Sequence, residues 1–395
     1  MAVYKLFPEK DATLYSMFPN MNTGLDEIVE ATLTSIAPND PNPQVSRFLI
    51  KFDQSKIQDI IDNKIGNAEW DVNLRCFISK TTGLSDTTTL DIFAVSGAWD
   101  MGTGKYLDDP ITTDGTSWIW QNYSGSNMWN VMSPGNNVTS SYNITYAPLG
   151  GGTWYNQIVS SSTNAPLSSS QQYTYASDKD LDVSVKNIVD VWVTGSINYY
   201  DSPSAISTNT TSSISASNQG FLIKQKLEWS DTDNYQPEIK FFSIDTNTIY
   251  PPQLEFKWVD YSYSPGSLPV IETLPATVLL ASNPGVFFPE SKNRFRINSR
   301  PEYPPRVWQT SSVYLNNYVL PTASYWALKD LDTNEYVIDF DTTYTQLSCD
   351  NSGSYFDMNM NGLQPERYYQ ILIQTEIDGS TMVYADQYYF KVING

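Results

Sequence analysis

The sequence predicts an all-β protein: an N-terminal jelly-roll β-sandwich with one or two short helices, then a smaller C-terminal β-sandwich. Three observations carry this. Short alternating or continuous apolar runs recur along all 395 residues, separated by clusters of Pro, Asn, Asp and Gly, which is the rhythm of strands and turns. Aromatic residues make up 14% of the chain, with Tyr the most abundant, and pleated surfaces favour such side chains. Helical periodicity surfaces in only two places.

In order, Ala12 and Leu14 alternate with Thr13 and Tyr15, a strand pattern, and Pro19, Asn20, Asn22 and Gly24 then supply turn chemistry. Strands are expected at 28–33 and 47–53. The second is nearly continuous in apolar residues, which places it centrally. Ser55 with Gln58 has capping-box order, and Ile57, Ile60, Ile61 and Ile65 follow at helical spacing. Strands at 70–79 and 88–94 precede a loop-rich stretch, and residues 121–177 read as long surface loops. Val185, Ile188, Val189 and Trp192 then share one helical face, with Gly195 placed for a left-handed cap. After a Ser/Thr/Asn-rich loop at 201–217, strands are expected at 219–227, 239–243 and 252–259. Residues 263–305, punctuated by Pro275, Pro284 and Pro289, read as an extended linker. From 306 to 395 short strands recur with turn signals, the rhythm of a small sandwich.

Composition narrows the function. The net charge is −20, which repels phosphate backbones and argues against nucleic acid and against membrane surfaces as partners. The chain begins without an apolar leader pattern and holds no long apolar run, so neither a secretory signal nor a membrane span is expected. Histidine is absent altogether. That removes Ser-His-Asp and Cys-His nucleophiles and His-ligated zinc. Cys76 and Cys349 are the only cysteines and read as reduced, buried thiols.

Several motifs carry a resemblance. Asp11-Ala12, the Pro19–Gly24 loop, Arg47 to Asp53, Trp99-Asp100, Gly115 with Trp118, Asp182-Val183, Val189 to Gly195, and Asn218 to Lys224 stand in one order. That order resembles the DNRLRE family, jelly-roll domains related to carbohydrate-binding modules. Ile244 stands where that pattern has Arg. Further on, Leu363-Gln364-Pro365 leading to Tyr369 resembles the tyrosine corner of fibronectin-III and immunoglobulin-like modules. The pairing of two such domains in an acidic, Asn/Ser/Tyr-rich chain is similar to virion structural proteins of tailed phages, particularly marine ones. The resemblances imply residues 1–262 as the jelly-roll and 306–395 as the immunoglobulin-like module.

Candidate sites each have a plain alternative. Asp100, Asp108, Asp109 and Asp114 lie in a Gly-rich loop where hard oxygen ligands suit a structural Ca²⁺, the one cofactor considered; the alternative is a solvated acidic loop. Trp99, Trp118 and Trp120 offer flat faces for stacking on sugar rings, or else pack in a core. Lys292, Arg294, Arg296 and Arg300 form a basic stripe suited to an acidic neighbouring subunit, or are scattered surface charge. No pattern points to catalysis, and a carboxylate pair cannot be read from spacing alone. The expected function is therefore a non-enzymatic structural component of a phage particle, at the capsid, neck or tail. It would contact other virion proteins and copies of itself. The alternative is a carbohydrate-binding protein that recognises host surface glycans through the jelly-roll.

Overall fold

A computed structural model describes residues 2–34, 44–84, 88–129, 150–155, 158–159, 167–174, 180–200, 212–226, 228, 237–281, 283–303 and 317–393. Much of the 121–177 stretch and of the 201–217 loop lies outside these. The described chain is built of antiparallel sheets with helical stretches at Gln54–Asp59, Ile60–Ile65 and Lys186–Thr194. It is an all-β fold of sandwiched sheets. No described helix is long and apolar enough to cross a membrane. Two compact units emerge: residues 6–62 with 72–255, and residues 1–5 with 63–71 and 256–395.

In the first unit, five strands lie in the order Ser168–Gln172, Thr89–Ala94, Phe221–Gln225, Gln44–Lys51, Lys10–Tyr15, every pair antiparallel. Gln44–Lys51 is paired on both edges and buried on both faces, which is why its sequence is an apolar run and not an alternation. Its start also pairs with Ile28–Thr34, which continues through Glu238–Phe242 to Ile78–Thr82. On one face Leu49 and Val45 meet Ala12, Leu14, Leu222 and a layer of tryptophans from the loops. On the other, Phe48 packs 5.7 Å from Phe241.

Both helical stretches form where the periodicity places them, with one correction at a cap. The first is capped by Asp53, whose side chain accepts from the Ser55 amide at 2.7 Å. Ser55 is thus two positions inside the helix and not its cap. The second buries Ile188, Val189 and Trp192 and ends at Gly195, whose φ of 73° is left-handed. Its amide returns to the Val191 carbonyl.

The second unit packs a four-stranded sheet, ordered Ala276–Ala281, Lys292–Pro301, Gly353–Asn359, Ser348–Asp350, with a five-stranded one. The latter runs Val286–Phe287, Ser380–Val392, Tyr368–Ile377, Ser324–Asp330, Tyr336–Ile338. Numbered along the chain, this is the ABED and A′GFCC′ arrangement of immunoglobulin folds. Trp326 on the third long strand is buried and stacks 4.6 Å from Phe356. The Tyr369 hydroxyl donates to the Gln364 carbonyl at 3.1 Å, closing the tyrosine corner. No disulfide assists: Cys349, like Cys76, is free and buried. The first residues of the chain belong here too, since Asn359 and Asn361 donate to the Val3 and Lys5 carbonyls.

The expected linker at 263–305 is corrected by this unit, because it contains two of the sandwich's principal strands. Pro275, Pro284 and Pro289 fall between strands, where a missing N–H breaks no ladder. Beyond them, on Lys292–Pro301, Phe295, Ile297 and Ser299 point inward, and their alternate neighbours point outward.

Candidate functional site

The loop that follows Tyr15 is held from inside. Asn22 is fully buried, and its amide makes four hydrogen bonds: to the carbonyls of Met101 (2.6 Å) and Thr116 (2.8 Å), and from the amides of Gly24 (3.2 Å) and Gly104 (2.8 Å). Every donor and acceptor direction of the side chain is used. Backbone crowds this hub so closely that a Cβ on Gly104 would stand 2.4 Å from the Asn22 carbonyl oxygen. The 100–116 loop is thereby fixed on the 20–26 loop. Its tip is tied by the Leu25 amide to the Gly104 carbonyl at 2.9 Å.

That tip places Tyr106 on the wall of a cleft of about 320 Å³ within the first unit. The Tyr106 ring lies 4.9 Å from Tyr15 and 6.3 Å from Phe18. It is 46% exposed, and Met17 beside it is 54% exposed. The floor is an ionic ladder across three strands. Lys240 stands opposite Glu30 on one side and Lys80 on the other, while Glu238 stands opposite Thr32 and Thr82. Lys240 Nζ reaches Glu30 at 2.5 Å and Glu238 at 3.0 Å, and Lys80 Nζ reaches Glu238 at 3.0 Å.

The electrostatics follow from this ladder. Partial burial opposes the charge on Glu238, but bonds from Lys80, Lys240 and Thr82 hold its carboxyl down at about 2. Burial likewise opposes charge on Lys240, and its two carboxylate partners raise it nonetheless. Tyr15 is pushed well up, first by burial and then by the nearby Glu30 carboxylate. A general acid needs a raised carboxyl, and Glu238 is moved the opposite way. The arrangement sets an aromatic ring wall beside fixed donors and acceptors.

The tryptophans singled out in the sequence lie elsewhere. Trp99 and Trp118 are buried in the layer over the Gln44–Lys51 strand, so neither offers a face to a sugar. Trp99 Nε1 donates to the Gln219 carbonyl. Trp118 and Trp154 flank the guanidinium of Arg47, at 5.0 and 5.4 Å. Arg47 is itself fully buried, paired with both oxygens of Glu228 and bonded to the Gly151 carbonyl. Trp120 is half-buried and donates to Asn20 Oδ1 at 2.9 Å. These side chains pin the 96–129 loops to the sheet.

The four aspartates do not converge. Asp100 accepts from Asn122, Asp108 from the Lys105 amide, and Asp114 from the Thr103 amide and hydroxyl, while Asp109 is exposed. Among the described residues no three acidic or thiol groups gather as a metal would require. The carboxylates of Asp100, Asp108 and Asp114 serve as acceptors that brace the loops. In the second unit, Lys292 and Arg294 pair with Asp357, and Arg296 pairs with Asp350 through two bonds. Both arginines also lie over the Tyr355 ring. Three of the four cations are therefore matched within the unit, and Arg300 lies outward on the same strand face.

The cleft escaped sequence reasoning because its parts come from residues 15–18, 30–34, 44–45, 82, 106 and 238–240. The one local trace was the alternation Glu238-x-Lys240 beside buried Ile239 and Phe241, and only the strand register brings Glu30 and Lys80 to it. Comparison with protein-family models, with curated proteins and with solved structures finds no match for this chain.

Proposed function

We propose that the protein is a non-enzymatic glycan-binding protein that recognises its ligand in the Tyr15–Tyr106 cleft. The observation that carries this is the pairing of an exposed aromatic wall with a fixed polar floor on a rigid loop. Sugar rings present C–H faces that pack on aromatic rings and hydroxyls that need placed partners. The DNRLRE resemblance of the surrounding motifs supports the same reading. Calorimetry of the full chain against a panel of polysaccharides tests it. Binding that Tyr106→Ala weakens by about tenfold or more supports it, since stacked rings contribute at that level. A folded chain that binds no glycan overturns it.

A second reading is a structural component of a phage virion, acting through contacts with neighbouring virion proteins and with its own copies. What favours it lies on the second unit. Val286 stands opposite Lys391, and Lys391 opposite Tyr368, on the five-stranded sheet. Around Lys391, which pairs with Glu366, the side chains of Val286, Tyr368, Tyr389 and Phe288, the last 65% exposed, stand outward, and aromatic residues are a type that interfaces favour. Electron microscopy of assembled particles without density for the chain would remove this reading. Both roles fit one attachment protein.

A further inference from the structure

We propose that the cleft selects neutral sugars and rejects anionic ones, an inference that rests on the glycan reading above. Among the described residues lining the cleft, Lys240 is the one cation, and two carboxylates already hold it. An ammonium has three hydrogens; Glu30 and Glu238 take two, and one remains. A sugar hydroxyl can accept that hydrogen and donate its own to either carboxylate. The carboxylate of a uronate or a sulfate group in that position cannot donate, and it would meet Glu30 and Glu238 at close range. Lys80, the next cation along the floor, is bound to Glu238 as well, so no free positive charge compensates. The chain's net charge of −20 adds a repulsive field of the same sign. The aromatic wall is indifferent to ligand charge, so discrimination resides in the floor.

The full chain is titrated with neutral gluco-, manno- and galacto-oligosaccharides, and with uronate and sulfated oligosaccharides of matched length, at low and high salt. Neutral ligands are expected to bind, with affinity changing less than about twofold with salt, since no net ion pair forms. Acidic ligands are expected to bind at least about tenfold more weakly, the scale of like-charge juxtaposition. Glu238→Gln releases Lys80 and leaves Lys240 paired with Glu30 alone, so the floor gains one net positive charge. Its side chain is partly exposed, so the variant is expected to keep the fold, and circular dichroism checks this. In that variant the acid-to-neutral affinity ratio should rise by about tenfold and become salt-sensitive. Acidic ligands that bind the unaltered chain more tightly than neutral ones overturn the selectivity and leave the glycan reading standing. An unchanged ratio in Glu238→Gln likewise overturns it. Binding to no glycan, or glycan binding that Tyr106→Ala leaves untouched, overturns the cleft itself.

Discussion

Replacing Asp11 by Asn should remove a pH dependence that the fold imposes on itself. The Asp11 side chain, on the Lys10–Tyr15 strand, is fully buried. Its Oδ2 accepts the Ile244 amide at 2.7 Å, while Oδ1 has no hydrogen-bond partner among the described residues. Burial drives the carboxyl from 3.8 up to about 8; the Ile244 amide opposes this, and Asp245 and Asp26 add to it. The native chain therefore holds a proton that the unfolded chain has released. The resulting stability is complete below the unfolded value and is lost as pH rises towards the folded one. The slope is about 1.4 kcal/mol per pH unit, on the order of 5 kcal/mol over the whole window. Asn keeps a carbonyl for Ile244 and cannot ionise. Urea midpoints of both chains from about pH 5 to about pH 9 are the assay. The variant's advantage should grow steadily to about pH 8 and then level off. A difference that stays constant across that range would refute the reasoning, because it would mean that Asp11 is charged throughout.

Three further outcomes follow from other buried groups. Arg47→Met leaves the Glu228 carboxylate buried beside Lys224 alone, and should lower stability by about 3–5 kcal/mol in urea unfolding. Asn22→Ala orphans two amides and two carbonyls at once. At about 1–3 kcal/mol for each unmet group, it should both destabilise the first unit and lose hydrogen-exchange protection at Gly104 and Gly24. Tyr369→Phe removes the hydroxyl bond to Gln364 and nothing else, a loss of about 1 kcal/mol, readable as a lower melting temperature of the second unit.

Much of the fold was legible because period-two and period-3.6 patterns report burial directly. The helix ending at Gly195 and the twice-buried 47–53 strand are examples. The Lys292–Pro301 strand was equally legible in its Arg-Phe-Arg-Ile-Asn-Ser-Arg alternation. The prolines around it outweighed that pattern in a linear reading, because a linear reading does not distinguish a proline inside a strand from one beside it. The tryptophans and aspartates failed as site markers for a different reason. Their residue types suit both ligand binding and loop anchoring, and only burial and partners separate the two. Arg47 is the sharper case. A charged residue inside an apolar run looks like an outward position, and the Glu228 and Gly151 partners that bury it come from distant loops.

These anchors also bear on how an exposed ligand wall can sit on a loop. Ordering a loop upon binding reduces affinity, whereas ordering it during folding does not. The loop that carries Tyr106 is ordered by bonds that do not involve its ring: Asn22 at its base, the Leu25 amide on the Gly104 carbonyl, and the Asp108 side chain closing its turn on the Lys105 amide. Trp99 and Trp118 seal the same segment against the sheet. The buried polar and aromatic residues of this loop therefore contribute to recognition without touching a ligand. Tyr106 can remain half exposed because its backbone has already lost the freedom that binding would otherwise have to remove.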